Sequence, residues 1–176
     1  MSLTEPHTRT APADLGGAWT LEPCASSVEF TGRHFLLLPV TGSMPVRSGA
    51  AELDGDGRLA HLDVALDAAG FTTGNPRRDD AVRGPAFLDT ERHPLLRFDG
   101  ESLAAAGEPW TVPGQLSVKG RAVPLVLTVD EVVPEGARTL VRASATVDRH
   151  ACGVSAMRAM VGPRLRVRVT AVFVRA

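Results

Sequence analysis

Residues Leu165 to Phe173 read LRVRVTAVF. Leu165, Val167, Val169, Ala171 and Phe173 alternate with Arg166, Arg168, Thr170 and Val172, and a repeat of two is the pattern of a strand with one buried face. The same alternation recurs upstream. In SVEFTGRH, Val28 and Phe30 share a face opposite Ser27, Glu29, Thr31 and Arg33. In LAHLDVALDA, Leu62, Val64 and Leu66 lie opposite His61, Asp63, Ala65 and Asp67. Leu96 aligns with Phe98, Leu116 with Val118, and Val141 with Ala143, Ala145 and Val147. Counting AWTL at residues 18–21, the chain has eight or nine short strands and no long amphipathic helix, which predicts an all-β sandwich or barrel.

Turn chemistry joins these runs. Asp54-Gly55-Asp56-Gly57 reads as a hairpin turn because glycine tolerates positive φ, and Lys119-Gly120-Arg121 and Pro134-Glu135-Gly136 close two further connections. Connections this short join antiparallel neighbours, since parallel strands need long crossovers.

A chain of 176 residues suits one domain with a sizeable core. Nineteen Lys and Arg against twenty Asp and Glu leave no basic field, which argues against a nucleic-acid partner. No apolar run approaches the roughly 20 residues of a membrane span. The opening MSLTEPHTRTAPADLGG carries Glu5 and no apolar core, so it does not read as a secretory signal; read from Met1, the chain is expected to be cytoplasmic. Its Pro6, Pro12, Gly16 and Gly17 predict a flexible tail over 1–17 ahead of a barrel domain over 18–176.

The stretch GNPRRDDAVRGPAFLD (Gly74 to Asp89) interrupts the strands. Asn75 followed by Pro76 is an N-cap and first helical position, Asp79 and Asp80 suit the positive end of the helix dipole, and Gly84-Pro85 ends the helix. The reading is a helical insert at about 76–88, carrying Phe87 as a plug against one barrel end, with Arg78 paired to Asp79 or a neighbouring acid. The inward faces carry small residues, namely Ala60, Ala68, Gly100, Ser102, Ala143 and Ala145. They either leave a hollow that can hold one small ligand or face large residues that fill it.

Around this insert the sequence resembles the YceI-like family. Thr73-Gly74-Asn75, Arg78-Asp79, Val82-Arg83, Phe87-Leu88-Asp89, Pro94 and Phe98 resemble its central signature. WTLEPCASSVEFTGRH resembles its opening, GQLSVKGRAVPLVL its middle, and DRHACGV with Val161-Gly162 its closing segment, so the likeness runs from Trp19 to Phe173. It departs at Ala81, where the family often has His, at Gly84 for Ser, at Ala86 for an acid, and at Met44 and Arg47 for aromatics.

The resemblance implies an eight-stranded antiparallel lipocalin-like barrel that binds a long-chain isoprenoid or similar amphiphilic lipid, a polyprenyl lipid or an isoprenoid quinone, for carriage or storage. An apolar interior binds such a chain by taking its surface out of water. Phe30, Leu62, Val64, Leu66, Phe98, Leu116, Val118, Val169 and Phe173 are expected to line it. Phe35, Leu37, Phe87, Met157 and Met160 are expected near the mouth, and Arg33, His34 and Arg78 are the candidates for a head group.

No catalytic role, cofactor or metal is expected. The rival is a Cys/His-dependent enzyme using His150 and Cys152, two residues apart with Ser155 nearby; no third orienting group accompanies them. The five histidines lack metal-ligand spacing, and Asp54-x-Asp56-Gly57 resembles only a fragment of a calcium loop. Cys24 and Cys152 do not make a disulfide framework, and they pair only if the fold brings them together. A homodimer through the outward Val172 and Val174, or Leu140, is a further possibility.

Overall fold

The alternating runs form ten strand segments in the computed structural model, which describes residues 15–34, 37–101, 110–157 and 160–176. They are β1 (Gly17–Leu21), β2 (Ser27–His34), β3 (Leu38–Met44), β4 (Val46–Leu53), β5 (Leu59–Asp67), β6 (Leu95–Glu101), β7 (Trp110–Val118), β8 (Arg121–Glu135), β9 (Arg138–Asp148) and β10 (Arg164–Arg175). One helix, α1 (Pro76–Arg83), lies between β5 and β6. Residues 1–14 of the expected tail, Phe35 and Ser102 lie outside the described residues.

Ten segments make eight staves. β1 and β2 are one strand broken by a 3-10 turn at Pro23–Ala25, and both pair with β10. β3 and β4 are likewise one strand broken at Pro45, because proline has no N–H to give the ladder. Every pairing is antiparallel, and the order runs β4-β5-β6-β7-β8-β9-β10 with β1 joining β10 back to β4. The result is a closed eight-stranded antiparallel barrel, as expected. Closure removes the sheet edges that would otherwise invite pairing with other chains.

The turns follow local chemistry. Lys119 and Gly120 both take positive φ, at 52° and 74°, which is the turn that matches the twist of a two-residue hairpin. Asp54 Oδ1 accepts the N–H groups of Asp56 and Arg58 and closes the β4–β5 hairpin. The β8–β9 turn falls one step later than expected: Pro134 and Glu135 stay in β8, with Pro134 opposite Thr139, leaving Gly136 and Ala137 at the turn.

One reading of the inward face needs correction, and at Gly100 one of two alternatives is met. Ala60 is exposed and Leu59 is buried in its stead, because the β4–β5 register shifts between Glu52 and Leu53 and turns Leu59 inward. Gly100 and Gly114 do not enlarge a hollow. A Cβ at Gly100 would meet Val112 at 2.7 Å and the Phe98 ring at 3.0 Å, and one at Gly114 would meet the Asp99 carbonyl oxygen at 2.4 Å. At those two positions the small residues make room for Phe98.

Candidate functional site

Strand register assigns each side chain to one face of the wall. Val64 faces Phe98, Phe98 faces Leu116, Leu116 faces Val123, and Val169 faces Val28 and Ala143, all on the inner face. Of the residues expected to line the interior, Leu66, Phe98, Leu116 and Val118 are buried, whereas Phe30, Leu62, Val64, Val169 and Phe173 are half-buried. The five half-buried residues keep part of their surface accessible, in a wall whose strands β8 and β9 pair only from Thr128 and Ser144 onward. No large side chain among the described residues is fully buried.

The half-buried inward row extends along β8, whose residues the sequence analysis did not name as lining, and to Ala145 of β9, which it placed inward. Val123, Leu125, Leu127 and Val129 alternate inward and are half-buried, as is Ala145 opposite Val167. The signal was present as alternation with Ala122, Pro124, Val126 and Thr128. The apolar Val126 inside a run that also holds Pro124 hides it, since a continuous apolar stretch has no visible period.

The helical insert sits at one end of the barrel by local rules and one buried acid. Asn75 caps α1, its side-chain oxygen accepting the Arg78 N–H at 3.2 Å. Arg78 itself is exposed, and Asp79 does not pair with it. Asp79 is instead 4 % exposed and turns under the helix, where its carboxylate accepts the Thr73 hydroxyl and N–H and the Thr72 hydroxyl at 2.6, 2.8 and 2.9 Å. Arg83 ties the last turn to the Phe71 carbonyl and to Asp80. Phe87 and Leu88 pack half-buried on the core.

Burial pushes the Asp79 carboxyl up. The hydrogen bonds from Thr73 and Thr72 and the charge of Arg83 more than offset this and hold it below the usual carboxylate range. A folded pKa below the unfolded one stabilises the fold fully above the unfolded value of about 4, and the contribution disappears as pH falls through the folded value. The Thr73 amide resonance is therefore expected to titrate with a midpoint below 4 or thereabouts and to lose that step in Asp79→Asn. A midpoint at or above the ordinary value would refute the assignment.

The connection from β9 to β10 closes the same end. Asp148 Oδ1 accepts the N–H groups of His150 and Ala151. Arg149 is 4 % exposed and spreads its guanidinium across four carbonyls of the same loop, those of Gly162, Val154, Ala156 and Val161, at 2.8–3.0 Å. The Gly162 N–H reaches the Arg33 carbonyl, and His34 bridges Val161, so this loop is tied to the β2–β3 hairpin. Met160 is half-buried here, and Met157 and Leu37 are exposed on the same end. Arg33 is exposed and His34 half-buried at the tip of β2, and Arg78 stands on α1.

The Cys/His alternative finds no support in this geometry. Cys152 is 2 % exposed. Burial pushes its thiol up and the Asp148 charge adds to this, against a smaller opposing effect of Arg121, which is the reverse of what an attacking thiolate needs. Cys24 is exposed, and both cysteines are free.

A basin of about 730 Å³ lies where β8 and β9 part beyond Thr128 and Ser144, and its lining includes Ala143, Ala145 and Val169 of the inner face. Its rim carries Glu29, Asp130, Arg142, Arg166, Arg168 and several hydroxyls. That rim suits water rather than an apolar chain.

Comparison with known proteins agrees with this architecture. The family model described as "YceI-like domain" matches residues 19–173. A UPF0312 protein of Photorhabdus laumondii is 28% identical over 75 residues, a match spanning 43% of this chain and 38% of that protein. Among solved structures, Burkholderia cenocepacia BcnA superposes with a TM-score of 0.75 at 21% identity, covering 86% of this chain and 98% of its own. A polyisoprenoid binding domain from Saccharophagus degradans gives 0.66 at 13% identity, covering 90% and 98%. The Campylobacter jejuni YCEI protein gives 0.55 at 17% identity, covering 74% and 83%. At such identities the structures speak for the fold. No helix among the described residues is long and apolar enough to cross a membrane.

Proposed function

The chain belongs to the YceI-like domain family, and from that premise we propose that it binds a long-chain isoprenoid or similar amphiphilic lipid inside the barrel, for carriage or storage. The observation that carries this reading is the row of inward apolar residues that keep accessible surface: Phe30, Leu62, Val64, Leu127, Val169 and Phe173. Each methylene-sized group buried against such a wall contributes about 0.8 kcal/mol, so a chain of several isoprene units gathers affinity without any polar partner. The name of the Saccharophagus degradans neighbour, a polyisoprenoid binding domain, supports the ligand class.

A polyprenyl lipid or an isoprenoid quinone matches this chemistry, its tail in the barrel and its head at the α1 end. Arg33 and Arg78, exposed there, and the half-buried His34 are the groups positioned to meet a carbonyl or phosphate. The barrel then acts as a binding protein rather than an enzyme, in keeping with the inert setting of Cys152. Native mass spectrometry of the purified protein, with an organic extract of the same sample, tests this. A bound mass that partitions into the extract as a long-chain lipid is expected. Protein that is empty and takes up neither a polyprenyl lipid nor a quinone would refute the reading.

A further inference from the structure

The α1 end carries an apolar tip that the interior does not use. Leu37 and Leu38, at the turn from β2 to β3, are 79% and 62% exposed, and Met157 on the adjoining loop is 46% exposed. The two loops are held together by the Gly162 N–H to the Arg33 carbonyl at 3.0 Å and by the His34–Val161 bridge. Two neighbouring leucines this exposed cost solubility and contribute nothing to the core, so they point to a partner that takes them out of water.

Charge says which partner. The two ends of the barrel differ. At the α1 end Arg33, Arg77, Arg78, Arg92, Arg121 and Arg164 are exposed. Several acids there are engaged locally: Asp80 with Arg83, Asp148 with its own turn, and Asp67 with the Ala69 N–H. Asp79 under the helix, Asp89 and Glu91 complete the acids of that end among the described residues. At the far end Asp54, Asp56, Glu101 and Glu135 are exposed beside one exposed arginine, Arg58, while Arg138 is held by Glu22 and Arg175 lies over the Trp19 ring. An apolar tip on the end that carries these arginines, with more acids on the opposite pole, matches a surface that is greasy inside and negative outside.

We propose that the tip at Leu37 and Leu38 docks on an anionic phospholipid bilayer, its leucines entering the headgroup region and the arginines of α1 and β2 meeting lipid phosphates. Such docking combines buried apolar area with attraction to anionic lipid. It rests on the lipid-carrier reading and deepens it, since the docked end is the end where the ligand's head is placed. A long-chain lipid then passes between bilayer and barrel without crossing open water.

Flotation with vesicles tests this directly, using phosphatidylcholine vesicles with and without phosphatidylglycerol. The protein is expected to float with the mixed vesicles, to stay behind with phosphatidylcholine alone, and to be released by salt. Leu38→Asp and Arg77→Glu are both exposed changes outside the lining, so each variant is expected to fold and keep its bound lipid. Each is expected to lower the vesicle-bound fraction about tenfold. Wild-type protein that ignores anionic vesicles, or variants that float equally well, would overturn the docking proposal. The organic extract separates the two readings. Lipid-loaded protein that fails to float refutes docking alone, whereas empty protein refutes the carrier reading while flotation still decides the tip.

Discussion

Arg149→Met is expected to destabilise the barrel by about 3–5 kcal/mol. The guanidinium is buried and serves four carbonyls at once. A methionine of comparable length leaves all four without a donor in a place water barely reaches, and each orphaned polar group adds to the loss. For a urea slope of about 2 kcal/mol per M the unfolding midpoint falls by about 2 M. Arg149→Lys is expected to recover little, because one ammonium cannot span donors arranged as a planar fork. The loop that Arg149 holds ties β2 to β10 at the α1 end, so hydrogen exchange over 150–163 should rise before the rest of the barrel melts. A midpoint unchanged within error would mean that the loop is held by its apolar residues Cys152 and Val154 instead.

Ala145→Phe is expected to cut lipid uptake roughly a hundredfold, the loss of contact for three or four chain carbons at about 0.8 kcal/mol each. Ala145 faces inward opposite Val167 and is half-buried, like the inward row on β8. The same variant reports on the space itself. In a hollow the ring finds room and the unfolding free energy changes by less than about 1 kcal/mol, whereas in a filled interior the added ring costs about 1–3 kcal/mol. Ser144→Phe, one residue away on the outer face, is the control and should leave uptake alone. Loss of stability in Ala145→Phe together with unchanged uptake would place the ligand elsewhere.

These two residues show how unevenly the chain reveals itself. Ala145 was legible as an inward position because alternation along β9 is local, and a slip of one residue would put every apolar side chain into water. The cap at Asn75 and the turn at Gly120 were legible for the same reason, since each satisfies its own neighbours. Arg149 was not. In the sequence it is one arginine among many beside a histidine, and only the folded loop brings four carbonyls within its reach. Asp79 misled similarly: it stands next to Arg78 in the chain, but a helix places adjacent side chains on different faces, and its partners are Thr72 and Thr73 beneath.

The order of residues by itself placed the cap at Asn75, the turns at Asp54–Gly57 and Lys119–Gly120, and the apolar side of β2, β6, β7, β9 and β10, because those preferences act over a few residues. The tertiary structure alone decided that β10 closes the ring through both halves of a broken strand, and that Gly100 and Gly114 yield their space to Phe98 while the inward residues of β8 stay half-buried. Packing across a barrel joins residues far apart in the chain. Whether a small side chain leaves room or gives it away therefore depends on a neighbour that no local pattern names.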